Sequence, residues 1–243
     1  MKSKVVLSLV AVLALVGCAR SQSEYERSIN RIELPAPVAI SRFELTDQNG
    51  DSFDSASLLG KPTLYMFAFT HCSDTCTYQA IKVRHLIEVL GEDADKFNFV
   101  SITIDPERDT PEVVSAYTDA LGLTGKWHFL TGSEDDLKKV WDDFNILVVK
   151  QSIEQIIASQ KNAAELGLHD HQVSEEEKAL LPTNGLTADQ LAFASEVISH
   201  FSGGYEVGHS APFWMSTADG QRKVAFGPGA LVGEMKAELL SLL

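Results

Sequence analysis

The sequence predicts an α/β domain built on a mixed sheet. Three observations carry this. Segments with strand character alternate with segments of helical period; one run, Thr63 to Phe69, is apolar on both faces, as a buried parallel strand must be; and the chain closes with a hairpin followed by a helix.

The elements follow in order. Phe43 to Leu45 and Ser52-Phe53 flank Asp47-Gln48-Asn49-Gly50, so a hairpin with an Asn-Gly turn is expected. Pro62 opens the buried strand Thr63 to Phe69. From Thr77 a helix carries Ala80, Val83, Ile87 and Leu90 on one face and stops at Gly91, ahead of a strand from Phe97 to Ile104. This is one β-α-β unit. Thr110 is a capping residue with Pro111 at the first helical position, and that helix ends near Gly122. Trp127 to Leu130 forms a short strand. Ser133 caps a helix whose Leu137, Val140, Trp141 and Phe144 fall at i, i+3, i+4 and i+7. Ile146 to Val149 is briefly extended. Phe213 to Ser216 and Lys223 to Phe226 form a hairpin about Ala218-Asp219-Gly220, and a last helix runs from Ala230 to Leu242.

This order suits a thioredoxin-like fold with an N-terminal hairpin and a helical insertion, residues 150–204, before the last hairpin and helix. In the insertion Ile153, Ile156 and Ile157 share a helical face, and Thr187 with Gln190 makes a capping box. Residues 38–243 are expected to be one domain. Internal repeats, phosphate-cradling glycine loops and nucleophile elbows are absent from the sequence.

The first seventeen residues have the pattern of an export signal: Lys2 and Lys4, an apolar run from Val5 to Val16, then Gly17 before Cys18. The run is too short to span a bilayer. Leu15-Val16-Gly17-Cys18 resembles the cleavage box of bacterial lipoproteins, which implies that Cys18 carries lipid; an ordinary signal peptide with an incidental cysteine is the alternative. Residues 18–37, ending in Pro35-Ala36-Pro37, then form a tether without core. The expected location is the bacterial cell envelope, anchored by lipid and facing the periplasm or exterior. Loss of residues 1–17 removes two lysines and no acids, so the net charge moves from −14 to −16. A body this acidic excludes nucleic acid as a partner.

With Cys18 assigned to lipid, Cys72 and Cys76 remain. They sit where the buried strand hands over to a helix, at the carboxyl end of a parallel strand, where open α/β sheets build their sites. A helix N-terminus lowers thiol pKa and improves thiolates both as nucleophiles and as metal ligands. Residues four apart on a helix have Cβ atoms about 5 to 6 Å apart. A relaxed disulfide wants about 3.8 Å. The spacing favours chelation, with a reversible, somewhat strained disulfide as the oxidised form. Two thiolates are soft donors suited to Cu(I), and an added imidazole also accommodates Cu(II).

Seven histidines can supply that imidazole: His71, His85, His128, His169, His171, His200 and His209. His85 and His128 fall within a helix and a strand as structural residues, and His71 points to the other face of the strand end. His169 and His171 lie in the insertion, either as a second weak metal site or as part of a solvated acidic loop. His209 opens Ser210-Ala211-Pro212 behind Gly208, in a loop able to bring the ring to the cysteines, although spacing alone favours an ordinary loop histidine.

Phe43-Glu44-Leu45-Thr46-Asp47, Gly60-Lys61-Pro62, Phe69-Thr70-His71-Cys72 with Cys76, Asp105-Pro106-Glu107-Arg108-Asp109-Thr110-Pro111 and His209-Ser210-Ala211 together resemble the Sco/SenC proteins. The resemblance spans about residues 40–150 and 203–243. It implies a thioredoxin-like copper protein that assists assembly of the copper site of cytochrome c oxidase. It implies further that Cys72, Cys76 and His209 bind copper, with Asp105 and Arg108 shaping the surroundings of the ligands. The chain departs from the family pattern in Ser73 and Thr77, where proline commonly follows each cysteine, and in Gly208, where aspartate commonly precedes the histidine.

Two functions are therefore expected of one site. The first is a copper metallochaperone that delivers copper to a membrane acceptor such as the cytochrome c oxidase copper subunit or another envelope copper acceptor. The second is a membrane-anchored thiol-disulfide oxidoreductase, in which Cys72 attacks a cysteine partner and Cys76 resolves the mixed disulfide. Peroxidase chemistry is disfavoured because Phe69 stands where a peroxiredoxin has threonine.

Overall fold

The computed structural model describes residues 30–72, 75–152 and 205–243. Ten strands fall at Arg31–Ala39 (β1), Glu44–Thr46 (β2), Ser52–Asp54 (β3), Thr63–Ala68 (β4), Asn98–Thr103 (β5), His128–Leu130 (β6), Val148–Ser152 (β7), Tyr205–His209 (β8), Phe213–Ser216 (β9) and Gln221–Phe226 (β10). Among the described residues four α-helices span Thr75–Leu90 (α1), Pro111–Ala120 (α2), Glu134–Phe144 (α3) and Val232–Ser241 (α4).

Six strands form one sheet in the order β1-β10-β9-β4-β5-β6. β4, β5 and β6 run parallel, and β9, β10 and β1 continue the sheet antiparallel. All six residues of β4 are buried because strands flank it on both sides and both faces are covered. Alternation sends Tyr65 and Phe67 to one face, where their rings meet Phe144 of α3 at 4.8 and 5.2 Å. This is the expected thioredoxin-like, mixed α/β architecture.

The helix ends follow from local chemistry. Thr110 accepts from the Val113 amide with Pro111 in the first turn, Ser133 accepts from the Asp136 amide, and Asn145 closes α3 in the left-handed conformation at φ 54°. Gly91 ends α1 at φ 59°. The first hairpin is held by Asp47, whose Oδ1 accepts from the amides of Asn49 and Asp51.

Several boundaries differ from those the sequence predicts. The tether expected over residues 18–37 overlaps β1, which pairs antiparallel with β10 along the sheet edge. β1 is nevertheless mostly exposed, so it escapes a search for buried periodicity. Its register breaks between Glu33 and Val38, the stretch that holds Pro35 and Pro37. α1 begins at Thr75 rather than Thr77, which puts Cys76 inside the first turn. The helical insertion expected over residues 150–204 overlaps β7 at Lys150 to Ser152, and its remainder lies outside the described residues. β7 pairs with β8 in a separate two-stranded ribbon, so His209 ends a strand instead of riding a flexible loop. Cys18 with its export signal, His169, His171, His200 and the Thr187 capping box lie outside the described residues. Among the described residues no helix is long and apolar enough to cross a membrane.

Candidate metal centre

The carboxyl ends of β4 and β5 and the end of β8 converge on one corner of the domain. β4 delivers Phe69 and Thr70, and the chain then turns, with the Cys72 amide donating to the Phe69 carbonyl at 3.4 Å, before α1 begins. The first turn of α1 carries Cys76, whose amide donates to Cys72 Sγ at 3.4 Å. Neither cysteine is in a disulfide and both are buried, Cys72 at 8 % exposure and Cys76 at 0 %. Burial, reinforced by the neighbouring Cys72 sulfur, pushes the Cys76 thiol well above its ordinary value.

His209 reaches the same sulfur from β8. Its Nε2 lies 3.4 Å from Cys76 Sγ, and its Nδ1 lies 2.9 Å from the Ser210 carbonyl oxygen. A carbonyl only accepts, so Nδ1 carries the proton and Nε2 presents its lone pair to Cys76. A metal ligand needs that tautomer. The turn after His209 is fixed on two sides. The Ser210 amide donates to the Leu147 carbonyl, the Leu147 amide donates to Ser210 Oγ, and Gln79 of α1 donates from Nε2 to the Ala211 carbonyl at 2.7 Å. The thiol helix and the histidine turn thus share a direct hydrogen bond.

Asp105 and Arg108 stand beside this corner, on the turn that follows β5. Arg108 Nε donates to Asp105 Oδ2, and Tyr205 Oη donates to Asp105 Oδ1 at 2.7 Å. The Arg108 guanidinium lies 4.3 Å from the Tyr205 ring and 5.6 Å from the Phe69 ring, and Phe69 meets the His209 imidazole edge-on at 6.0 Å. Burial and the hydrogen bond to Asp105 raise the Tyr205 phenol above its ordinary value.

Beneath the cysteine turn lies Asp109, which is buried at 0 % exposure. Its carboxylate accepts from the Thr70 amide, Thr70 Oγ1 and Thr103 Oγ1. Desolvation pushes its pKa up to about 7 despite these three donors. Because Thr70 Oγ1 spends its only proton on Asp109, it accepts from His71 Nδ1 at 2.9 Å.

Of the residues the sequence singles out, Cys72, Cys76 and His209 therefore meet through Cys76, and Asp105 pairs with Arg108 next to them. Among the described residues no group of three or more His, Cys, Asp and Glu side chains is already gathered as around a metal ion; two pairwise contacts share Cys76. His85 is exposed near Glu88 on α1, and His128 packs against Phe53 at 4.7 Å, where burial lowers its pKa. Tyr205 and Gln79 are participants that sequence reasoning misses, and Phe69 and Asp109 stand inside quoted motifs, Phe69–Cys72 and Asp105–Pro111, without a role assigned to them.

Comparison with known proteins agrees with this arrangement. The SCO1/SenC family model matches residues 33–172. The chain is 41 % identical over 108 residues to the SCO2-like protein of Rickettsia typhi, a match covering 44 % of this chain and 52 % of that one. It is 30 % identical over 128 residues to mitochondrial protein SCO2 of Saccharomyces cerevisiae, covering 51 % and 40 %. The chain thus spans about half the length of the curated relatives it matches. Among solved structures, Bradyrhizobium japonicum ScoI with copper bound superposes with a TM-score of 0.58 at 25 % identity, covering 85 % of this chain and 99 % of that one. Apo Sco1 from Thermus thermophilus superposes with a TM-score of 0.59 at 20 % identity, covering 87 % and 95 %. With more than half of its residues matched by that family model and its thiols and late histidine gathered at one corner of the fold, the chain belongs to the SCO1/SenC family.

Proposed function

We propose that this protein takes up one copper ion on Cys72, Cys76 and His209 and hands it to a membrane acceptor such as the copper subunit of cytochrome c oxidase. The observation that carries the proposal is the contact of His209 Nε2 with Cys76 Sγ at 3.4 Å, with Nδ1 committed to the Ser210 carbonyl. Two sulfurs and a correctly protonated imidazole are a donor set for copper in either oxidation state. B. japonicum ScoI, which shares the fold, holds copper in its solved structure, and this supports the same cargo here.

Binding releases the thiol protons. Cys76 is held protonated by burial, so copper has to displace its proton, and affinity rises with pH until the thiols are ionised. Release to an acceptor reverses this: as Cys76 regains its proton, its sulfur again donates to His209 Nε2. In keeping with the export pattern at Met1 to Cys18, we place the protein in the bacterial envelope, tethered by lipid on Cys18.

The exposure difference between the cysteines favours one second reading. Cys72 is nearer the surface than Cys76, so in thiol-disulfide exchange Cys72 attacks and Cys76 resolves.

Anaerobic copper titration of the full chain separates the two. One tight copper per chain, lost in Cys72→Ser and Cys76→Ser and weakened about tenfold or more in His209→Ala, is expected. Absence of copper uptake, together with disulfide exchange that survives His209→Ala and disappears in Cys72→Ser, would establish the oxidoreductase instead.

A further inference from the structure

The third ligand stands on a mount of its own. Among the described strands β8 pairs only with β7, in a ribbon separate from the six-stranded sheet. His209 occupies one end of β8 and Tyr205 the other, four residues away on the same face, about 13 Å along the strand. The turn after His209 ties one end of the ribbon through Leu147, Ser210 and Gln79, so the tilt of the strand that carries the imidazole depends on what ties the other end.

We propose that Tyr205 is a positioning residue for His209, acting through Asp105, Arg108 and Phe69; its functional consequence rests on the copper reading above. The Tyr205 hydroxyl fastens the far end of the ribbon to Asp105. Asp105 is rooted in the central sheet, since its amide donates to Thr103 Oγ1 of β5 and the preceding Ile104 amide donates to the Ala68 carbonyl at the end of β4. Arg108, paired with Asp105, fills the space between the Tyr205 and Phe69 rings, and Phe69 abuts the imidazole. The circuit Tyr205, Asp105, Arg108, Phe69, His209 therefore closes back through the β8 backbone. Lys150, opposite Val207 on β7, adds a contact from the other strand: its Nζ lies 3.8 Å over the Tyr205 ring and 2.6 Å from Glu107. The Asp105-to-Arg108 segment touches neither thiol nor imidazole in these contacts. Its chemistry is that of a clasp, and what it clasps is the strand that carries the ligand.

The test uses the full chain and two readouts. In copper-free protein, amide hydrogen exchange of Lys150–Ser152 and Val207–His209 is expected to accelerate about tenfold in Tyr205→Phe, which keeps the ring and loses only the hydroxyl, while β4 and β5 keep wild-type rates. In Cu(II)-loaded protein, Tyr205→Phe is expected to weaken affinity about tenfold and to move the thiolate-to-copper absorption and nitrogen hyperfine pattern towards those of His209→Ala. Asp105→Asn, which retains an acceptor for Tyr205 but loses the charge that holds Arg108, is expected to fall between Tyr205→Phe and wild type in both readouts, and it replaces Tyr205→Phe if that variant does not fold. Wild-type exchange in the ribbon of both variants overturns the clasp. Faster exchange with a wild-type copper spectrum, where His209→Ala does change the spectrum, overturns the positioning role. If the wild type takes up no copper, or His209→Ala leaves uptake unchanged, the copper reading fails and takes the ligand role with it; the exchange data, obtained without copper, report that failure separately from the clasp.

Discussion

The two halves of the candidate metal centre are built on opposite principles. The thiols stand on β4 and α1, a strand with every residue buried and a helix packed on α4. The imidazole stands on β7 and β8, a ribbon that joins no other strand among those described and exposes Val149. The first half is held by apolar burial and the second by a handful of polar contacts. The lesson is that a site can place its anionic donors where packing fixes them and its neutral donor where hydrogen bonds do.

Perturbing the rigid half gives the largest expected effect. Phe67→Ala removes a fully buried ring packed at a tilt against Phe144, and a loss of about 3 to 5 kcal/mol is expected by urea denaturation of the copper-free protein. If that variant lost less than the ribbon variants, the division between the halves would be wrong.

Asp109 gives a second, pH-dependent test of the same half. Its folded pKa of about 7 lies above its ordinary value of 3.8. Between those values the folded state holds a proton that the unfolded state has released. Stability from this group is therefore full below the unfolded pKa and is lost as pH rises through about 7. Asp109→Asn carries no such proton, so the gap in urea midpoint between wild type and variant is expected to shift in favour of the variant between about pH 5 and about pH 8. An unchanged gap would mean that Asp109 is ionised throughout.

The smallest effect belongs to the ribbon. Lys150→Ala removes a surface ion pair to Glu107 and a cation from the Tyr205 ring. The global unfolding midpoint is expected to stay at the wild-type value, since exposed ion pairs contribute little. Amide exchange in β7 and β8 is expected to rise, and most clearly at low salt.

The same division explains what could be read from the sequence. The rigid half was legible because its signals are local: an apolar strand, a helix with a stop glycine, and two cysteines at the junction. The proposed copper ligand His209 is legible through the family resemblance and not through spacing. Its support, β7 against β8, joins residues on either side of 153–204, beyond the reach of any turn signal. Tyr205 was invisible for a similar reason, since its partner Asp105 lies 100 residues away. Asp109 sat inside a recognised motif, but only the folded chain surrounds it with Thr70 and Thr103. β1 escaped because an exposed edge strand with two prolines has neither the alternation nor the composition of a strand.

That edge strand has a consequence for how copies of the protein meet one another. Among the described strands β1 bounds the sheet on one side, broken in register where Pro35 and Pro37 stand, and β6 bounds it on the other with only three residues. Prolines offer no amide hydrogen and a three-residue strand offers too short a ladder, so neither border is a template on which another chain could extend the sheet. Proteins crowded side by side would therefore meet by their side chains, and strand addition, the first step of β-aggregation, has no footing at either border.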